Sequence, residues 1–130
     1  MIKIITAVYI FILAGIVVLA DFRQTQFIFG FIGGFPFGDK IGHFLLMGMF
    51  SVVVNLAFGA KIVKVRKFSY LLGSLIVLAI VTAEEVSQIF VSWRTFDVGD
   101  LLADAAGILI FGEIARIINR KEFNLHFSRR

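Results

Sequence analysis

The 130 residues are 59% hydrophobic, with a mean hydropathy of +0.95, no cysteine and a formal net charge of +4. Soluble domains are about 45–50% apolar, so the composition argues against a soluble fold. The missing cysteines exclude disulfides, thiolate metal sites and cysteine nucleophiles. Because the basic residues flank apolar runs, we expect them to meet anionic lipid, with no nucleic-acid partner.

Four apolar stretches are long enough for transmembrane helices, which need roughly 20 mostly apolar residues each. In chain order they are residues 4–20, 41–60, 68–91 and 98–118. The sequence therefore predicts an all-α membrane protein, a single domain over residues 1–130 built as a four-helix transmembrane bundle. An alternative for the first stretch is a cleaved signal peptide, although its apolar run is longer than the usual length of roughly 7–15 residues.

The connection between the first two helices contains an apolar run rich in phenylalanine and glycine, residues 27–38. It is too apolar for a solvated loop, and its glycines and proline interrupt any spanning helix. We expect it to lie in the outer membrane interface. The alternative is a functional segment, either a lid over a site or a contact for a lipid tail.

Lysine and arginine predict the orientation, because they concentrate in cytoplasmic loops. With the N-terminus inside, ten of the 13 basic residues are cytoplasmic, and only Arg23, Lys40 and Arg94 face outward. Most acidic residues fall in the outer half. The prediction is a bundle with both ends in the cytoplasm, whose basic segments 61–67 and 116–130 lie on anionic lipid.

Ionisable side chains within the predicted spans are the main functional signal, because each costs several kcal/mol unless it faces protein or water. They occur near the outer ends of helices two, three and four, as Asp39, Lys40 and His43, then Glu84, Glu85 and Gln88, then Asp97, Asp100 and Asp104. Glu84 and Asp104 are each ten residues from Arg94, and Gln88 and Asp100 are each six. With a rise of about 1.5 Å per residue, each pair should lie at similar depth, so we expect the three groups to converge.

Several of these residues also have structural interpretations. Asp97 is a candidate N-cap and Asp100 a favourable first-turn acid. Lys40 and Arg94 are expected counterions, and Arg94 alternatively holds a ligand phosphate or carboxylate. His43 is either a structural hydrogen-bonding residue or a proton carrier or metal ligand.

Glu84 and Glu85 are the hardest to explain as architecture, and Glu85 is the stronger functional candidate because it shares a helix face with Gln88. Small residues recur every four positions on helices three and four, which favours close packing between helices. They are Ala79, Ala83 and Ser87, then Ala103 and Gly107.

The order and spacing of these polar residues resemble the VanZ-like family of bacterial membrane proteins over about residues 39–112. The match is carried by Asp39-Lys40-x-x-His43-Phe44, Glu84-Glu85-x-x-Gln88-x-Phe90, Arg94-x-x-Asp97-x-x-Asp100, Asp104-x-x-Gly107 and Gly112. Ser92-Trp93 and Ser87 depart from the family's usual Pro-Gly and His, and the second departure weakens a metal site. The resemblance implies a multi-pass protein of the bacterial cytoplasmic membrane, linked to resistance to teicoplanin-type glycopeptides, without a settled activity.

Three functions compete. The first is a non-enzymatic envelope protein that binds a lipid-linked cell-wall precursor, a lipid headgroup or a lipoglycopeptide, with Lys40 and Arg94 on anionic groups. The second is an intramembrane hydrolase or transferase with Glu85 as general base and His43 and Asp100 as acids or metal ligands. Mg, Mn or Zn would suit such ligands, although no close-spaced metal motif is present. The third is a small proton-coupled transporter that uses Glu84, Glu85 and Asp104 as a relay.

Overall fold

The structure is a computed structural model that describes residues 1–21, 37–92 and 95–127. It is mostly helical, as predicted, but its described part contains a β-hairpin beside four α-helices, so the predicted all-α class holds only in part. The elements are α1 (Ile2–Asp21), α2 (Gly38–Ala57), β1 (Ile62–Val65), β2 (Phe68–Leu71), α3 (Leu72–Ser87) with a 3-10 extension (Gln88–Phe90), and α4 (Val98–Phe127).

Helix three begins later than the sequence analysis predicts. Residues 68–71 form β2, which pairs antiparallel with β1, so the helix starts at Leu72 instead of residue 68 and the connection 61–67 is not a plain loop. β-Branched and aromatic residues such as Val63, Val65 and Phe68 favour strands, and this preference overrides the apolar continuity with the helix. The hairpin turn places Arg66 at a φ of 54°.

The bounds of helices two and four also differ from the prediction. Helix α2 spans Gly38–Ala57 instead of residues 41–60, and it ends because Gly59 and Ala60 both adopt positive φ angles. Left-handed residues of this kind commonly terminate helices. Helix α4 continues to Phe127, well past residue 118.

Two helical segments in the described chain, Gly38–Ala57 and Leu72–Phe90, are long and apolar enough to cross a membrane. Core helices of soluble proteins share this composition but are mostly buried, whereas only 33% of each of these segments is buried inside the protein. Helix α1 contributes a shorter apolar segment, Ile2–Ile16. It exposes large apolar side chains such as Ile4 and Phe11.

Helix α1 is antiparallel to α2. The Tyr9 hydroxyl donates to the Leu46 carbonyl at 2.9 Å, and the Thr6 hydroxyl donates to the Val53 carbonyl at 3.4 Å. The Tyr9 ring also stacks on Phe50, with ring centroids 5.7 Å apart. The later residue of α1 therefore contacts the earlier residue of α2, as in an antiparallel pair.

Helix α4 runs parallel to α2, and the two pack closely along their length. A Cβ at Gly107 would collide with the backbone of Phe44, and one at Gly48 would lie 2.8 Å from the Phe111 ring. The small residue at 107 thus permits close packing, as expected. By contrast, Ala79, Ala83 and Ser87 are exposed, so the predicted packing stripe on helix three is wrong.

Helix directions alternate along the chain, so the starts of α2 and α4 lie at the same end as the end of α3. We call this the cluster end. The opposite end, called the hairpin end, carries the β-hairpin, the start of α1 and the last turns of α4. Between them lies an apolar core that consists of Leu13, Phe50, Val54, Val77, Val81 and Ile108.

A neutral polar network that was not predicted from the sequence is buried in the hairpin-end half of the bundle. The Ser51 hydroxyl donates to the Ile108 carbonyl at 2.8 Å, and the Asn55 amide donates to the Ser74 hydroxyl at 2.9 Å. The Ser74 N–H donates back to Asn55 Oδ1 at 3.2 Å. We call Ser51, Asn55 and Ser74 the neutral network; it joins α2, α3 and α4.

Candidate functional site

Nine polar residues converge at the cluster end of the bundle. They come from the starts of α2 and α4 and the end of α3, and we call them the acidic cluster: Asp39, Lys40, His43, Glu84, Glu85, Gln88, Asp97, Asp100 and Asp104. The structure brings these three groups together as the helix arithmetic predicts. Arg94, also predicted for this site, lies outside the described residues, as do residues 27–36 of the apolar connection.

Lys40 joins three carboxylates at the starts of α2 and α4. Its ammonium Nζ lies 2.9 Å from Asp97 Oδ2, 3.0 Å from Asp100 Oδ1 and 3.3 Å from Asp39 Oδ2. An ammonium group has three hydrogens, so these contacts use all of its donors. Lys40 is thus a counterion within the described cluster, as predicted.

Asp97 caps α4 and pairs with Lys40 at the same time. Its Oδ1 accepts the Gly99 N–H at 2.6 Å, and its carbonyl accepts the Asp100 and Leu101 N–H groups. Capping by the carboxylate satisfies a donor that has no partner within the helix. The Lys40 ammonium, followed by the Gly99 N–H, lowers the pKa of the Asp97 carboxyl below its ordinary value.

His43 connects α2 to two aspartates of α4. Its Nδ1 lies 3.1 Å from Oδ1 of Asp104, a carboxylate that is 1% exposed. Its Nε2 lies 3.8 Å from Asp100 Oδ2, beyond hydrogen-bonding distance. When Asp104 is ionised, Nδ1 must carry the hydrogen, which leaves Nε2 able to accept a proton.

Glu85 points into the bundle and is only 1% exposed. Its Oε1 accepts the Asp97 N–H at 2.9 Å, and its Oε2 accepts the Gln88 amide at 2.8 Å. The same Gln88 amide lies 3.2 Å from Glu84 Oε2 on the preceding turn. The structure thus answers which of the two adjacent glutamates faces the interior. It is Glu85, whereas Glu84 is partly exposed.

Three carboxylates of the acidic cluster have a spacing that could hold a metal ion, since single oxygens of Asp39, Asp97 and Asp100 lie within 4.8 Å of one another. Oxygen ligands of this kind suit Mg²⁺ or Ca²⁺. However, Nζ of Lys40 contacts an oxygen of each of these three residues, so the ammonium already supplies a cation there.

The charge balance of the cluster is strongly acidic. Six carboxylates face one lysine and one histidine among the described members. Ionised carboxylates only accept hydrogen bonds, so the cluster has more acceptor positions than the described donors fill. An arrangement of this kind can take up protons, cations or the hydroxyl and amino groups of a ligand.

The chain was compared with protein-family models, with curated proteins and with solved structures, and nothing matched. The resemblance to the VanZ-like family therefore stays a prediction carried by the quoted residues.

Proposed function

We propose that this chain is an integral protein of the bacterial cytoplasmic membrane, with four spans and both ends in the cytoplasm. Three observations support the proposal. Two helices are long and apolar enough to cross a membrane, and only 33% of each is buried inside the protein. The helices alternate in direction. The basic residues of the hairpin and of α4 lie at one end, as cytoplasmic segments do, and the acidic cluster lies at the other.

We infer that the acidic cluster is a ligand site at the outer leaflet. The observation that carries this inference is the burial of Glu85 and Asp104, each 1% exposed, in a cluster whose carboxylates outnumber the basic side chains among its described members. Burying an acid costs desolvation free energy that hydrogen bonds and ion pairs often only offset, and packing alone does not require such a group. Costly groups of this kind are typical of functional sites.

The ligand we propose is amphiphilic, with a headgroup rich in hydroxyl or amino groups. The surplus acceptors of the cluster match the donors of sugars and amines. Because the Lys40 donors are all engaged, an anionic part of the ligand is assigned to Arg94. A lipid-linked cell-wall precursor or a lipoglycopeptide has this chemistry, and binding of either fits the link to teicoplanin-type resistance that the VanZ-like resemblance implies.

A second candidate function, an intramembrane hydrolase or transferase, is favoured by one observation. Asp104 holds Nδ1 of His43 at 3.1 Å, which is how a carboxylate orients an imidazole that acts as a general base. In this candidate the base is His43, because both oxygens of Glu85 accept hydrogen bonds within the protein. Asp100, 3.8 Å from Nε2, would then lie beside the reacting proton.

Binding of a polyprenyl-pyrophosphate-linked disaccharide peptide, and separately of teicoplanin, to the purified protein in detergent tests the proposal. We expect wild type to bind one of the two, and Asp100→Asn to bind it at least tenfold more weakly, because a hydrogen bond to a charged group is lost. Glu113→Gln, which removes a carboxylate at the hairpin end, serves as the matched control and should bind like wild type. Equal affinity of Asp100→Asn and wild type would overturn the ligand site.

The same samples separate binding from catalysis. We expect the lipid-linked probe to be recovered intact after incubation with the wild-type protein. Release of a water-soluble product that disappears with His43→Asn would replace the binding function with the enzymatic one.

A further inference from the structure

The β-hairpin has two different faces. Its register places Lys64 opposite Ser69 and Ile62 opposite Leu71 on one face. Partners directly across an antiparallel pair lie on the same side of the sheet, and neighbouring pairs alternate between sides. The other face carries the pairs Val63–Tyr70 and Val65–Phe68.

A groove lies where the hairpin meets α3 and α4. It is a partly open groove with a cavity volume of about 50 Å³. Its apolar lining consists of Leu71, Leu75, Leu78 and Leu109, and its polar lining includes Ser69, Tyr70 and Ser74. This groove is separate from the acidic cluster. No residue of the cluster lines it.

The groove changes from polar to apolar along its length. Ser69, Tyr70 and Glu113 line it at the hairpin end. Leu78 lies six residues past Leu72, the first residue of α3, which is about 9 Å towards the middle of the bundle. Leu109 lies one turn from Glu113 in the same direction. An occupant with a polar head at the hairpin and an apolar chain directed towards the core would match this gradient.

The polar end of the groove carries excess positive charge. Lys64 is directly across from Ser69, Lys61 immediately precedes β1, and Arg66 and Lys67 form the turn of the hairpin. None of these four forms an ion pair within the described residues. The groove's carboxylate, Glu113, is already paired with Arg116 at 3.1 Å. The charge that remains suits an anionic headgroup.

We propose that this groove binds an anionic phospholipid of the inner leaflet, with one acyl chain along the leucines and the phosphate at Lys64. The basic segment 61–67 would then bind one lipid molecule at a defined position, in addition to the general attraction to anionic lipid that the sequence predicts. It uses the proposed orientation of the chain but none of the residues of the acidic cluster. The exposed pair Val65–Phe68 would face the surrounding lipid on the other side of the hairpin.

The test compares thermal stabilisation of the detergent-purified full chain by phosphatidylglycerol and by phosphatidylcholine with identical acyl chains. Wild type should be stabilised at lower concentrations of phosphatidylglycerol than of phosphatidylcholine. Lys64→Gln should lose about fivefold in apparent affinity for phosphatidylglycerol, the effect of one lysine near an anionic lipid surface. Lys121→Gln is the matched control, since it removes an exposed lysine of α4 at the same end, and it should keep the preference.

Three results would overturn the proposal. The first is equal stabilisation of wild type by the two lipids. The second is an equal loss of apparent affinity for phosphatidylglycerol in Lys121→Gln, which would mean diffuse attraction to surface charge. The third is equal stabilisation by soluble glycerol phosphate, which would mean that no acyl chain is bound. Leu75→Trp tests the groove directly, because the larger side chain should weaken the binding of both lipids without removing the preference for phosphatidylglycerol. Asp100→Asn should leave the lipid preference unchanged, so failure of this site and failure of the outer ligand site are distinguishable.

Discussion

The two polar regions inside the helical bundle differ in how far their donors and acceptors are matched. The neutral network of Ser51, Asn55 and Ser74 pairs its donors with acceptors of α2, α3 and α4. The acidic cluster instead contains six carboxylates, four of which lie close to Lys40 or His43. Polar groups that satisfy one another hold helices together. The described acceptors of the acidic cluster outnumber its described donors, and this difference is the basis of the proposed ligand site.

An apolar layer separates the two regions. On α3, Val77 and Val81 lie between Ser74 and Glu85, and on α4, Ile108 lies between Asp104 and Gly112. A proton relay through the acidic cluster therefore has no polar continuation towards the hairpin end among the described residues. The transporter interpretation gains no support from this arrangement, and the two regions should respond independently to mutation.

The largest effect should come from the neutral network. Asn55→Ala removes partners of Ser74 and Ser51 at a fully buried position, so we expect a loss of about 2 kcal/mol in the free energy of unfolding. Asn119→Ala is the matched control, because Asn119 donates to the Gly59 carbonyl at the surface and its loss should cost under about 0.5 kcal/mol. Thermal melts in detergent measure both. Equal losses of stability in the two variants would contradict a structural role for the neutral network.

A smaller, conditional effect is expected at Lys40. Lys40→Ala leaves Asp39, Asp97 and Asp100 close together without their shared cation, which should lower stability through like-charge repulsion. Their spacing suits a divalent ion, so millimolar Mg²⁺ or Ca²⁺ should restore the melting temperature of the variant while leaving wild type unchanged. Stabilisation of wild type to the same extent would show that Lys40 does not occupy the cation position.

The smallest effect is expected for Asp97→Asn, and it should depend on pH. The pKa of Asp97 is lowered from 3.8 in the folded protein, so the stability that its charge contributes is fully present above that value and is lost as the pH falls through the lowered pKa. Asparagine still caps the helix. The variant should therefore melt below wild type at pH 7, with a difference that shrinks below about pH 4. A difference that is constant with pH would assign the effect to capping.

Most of the helices were predictable because they coincide with long apolar stretches. The convergence of the acidic cluster was predictable because the rise per residue of a helix fixes the depth of each polar residue. The hairpin was not. Two-residue hairpin turns usually show glycine, asparagine or aspartate at positive φ, whereas here Arg66 takes that position. The sequence therefore carries strand-forming residues without the usual turn signal.

The neutral network was also missed, although Ser51 and Asn55 are polar residues four apart within a predicted span. Ser74 lies near the start of α3, and its alignment with Asn55 depends on how the hairpin positions that helix. The shared face with Gln88 favoured Glu85 over Glu84 as the functional candidate, but the sequence did not predict which of the two faces the interior. The bond from the Asp97 backbone to Glu85 depends on the loop after helix three, which no helical period describes.

The most direct test of the central claim, that the acidic cluster is maintained for a purpose other than stability, is the melting temperature of Glu85→Gln. Glutamine keeps an acceptor for the Asp97 N–H and removes one charge from a buried site crowded with carboxylates. We predict that the variant is as stable as wild type or more stable, as expected where function maintains a costly group. Melting several degrees lower, as expected for Asn55→Ala, would contradict the claim and make Glu85 a structural residue.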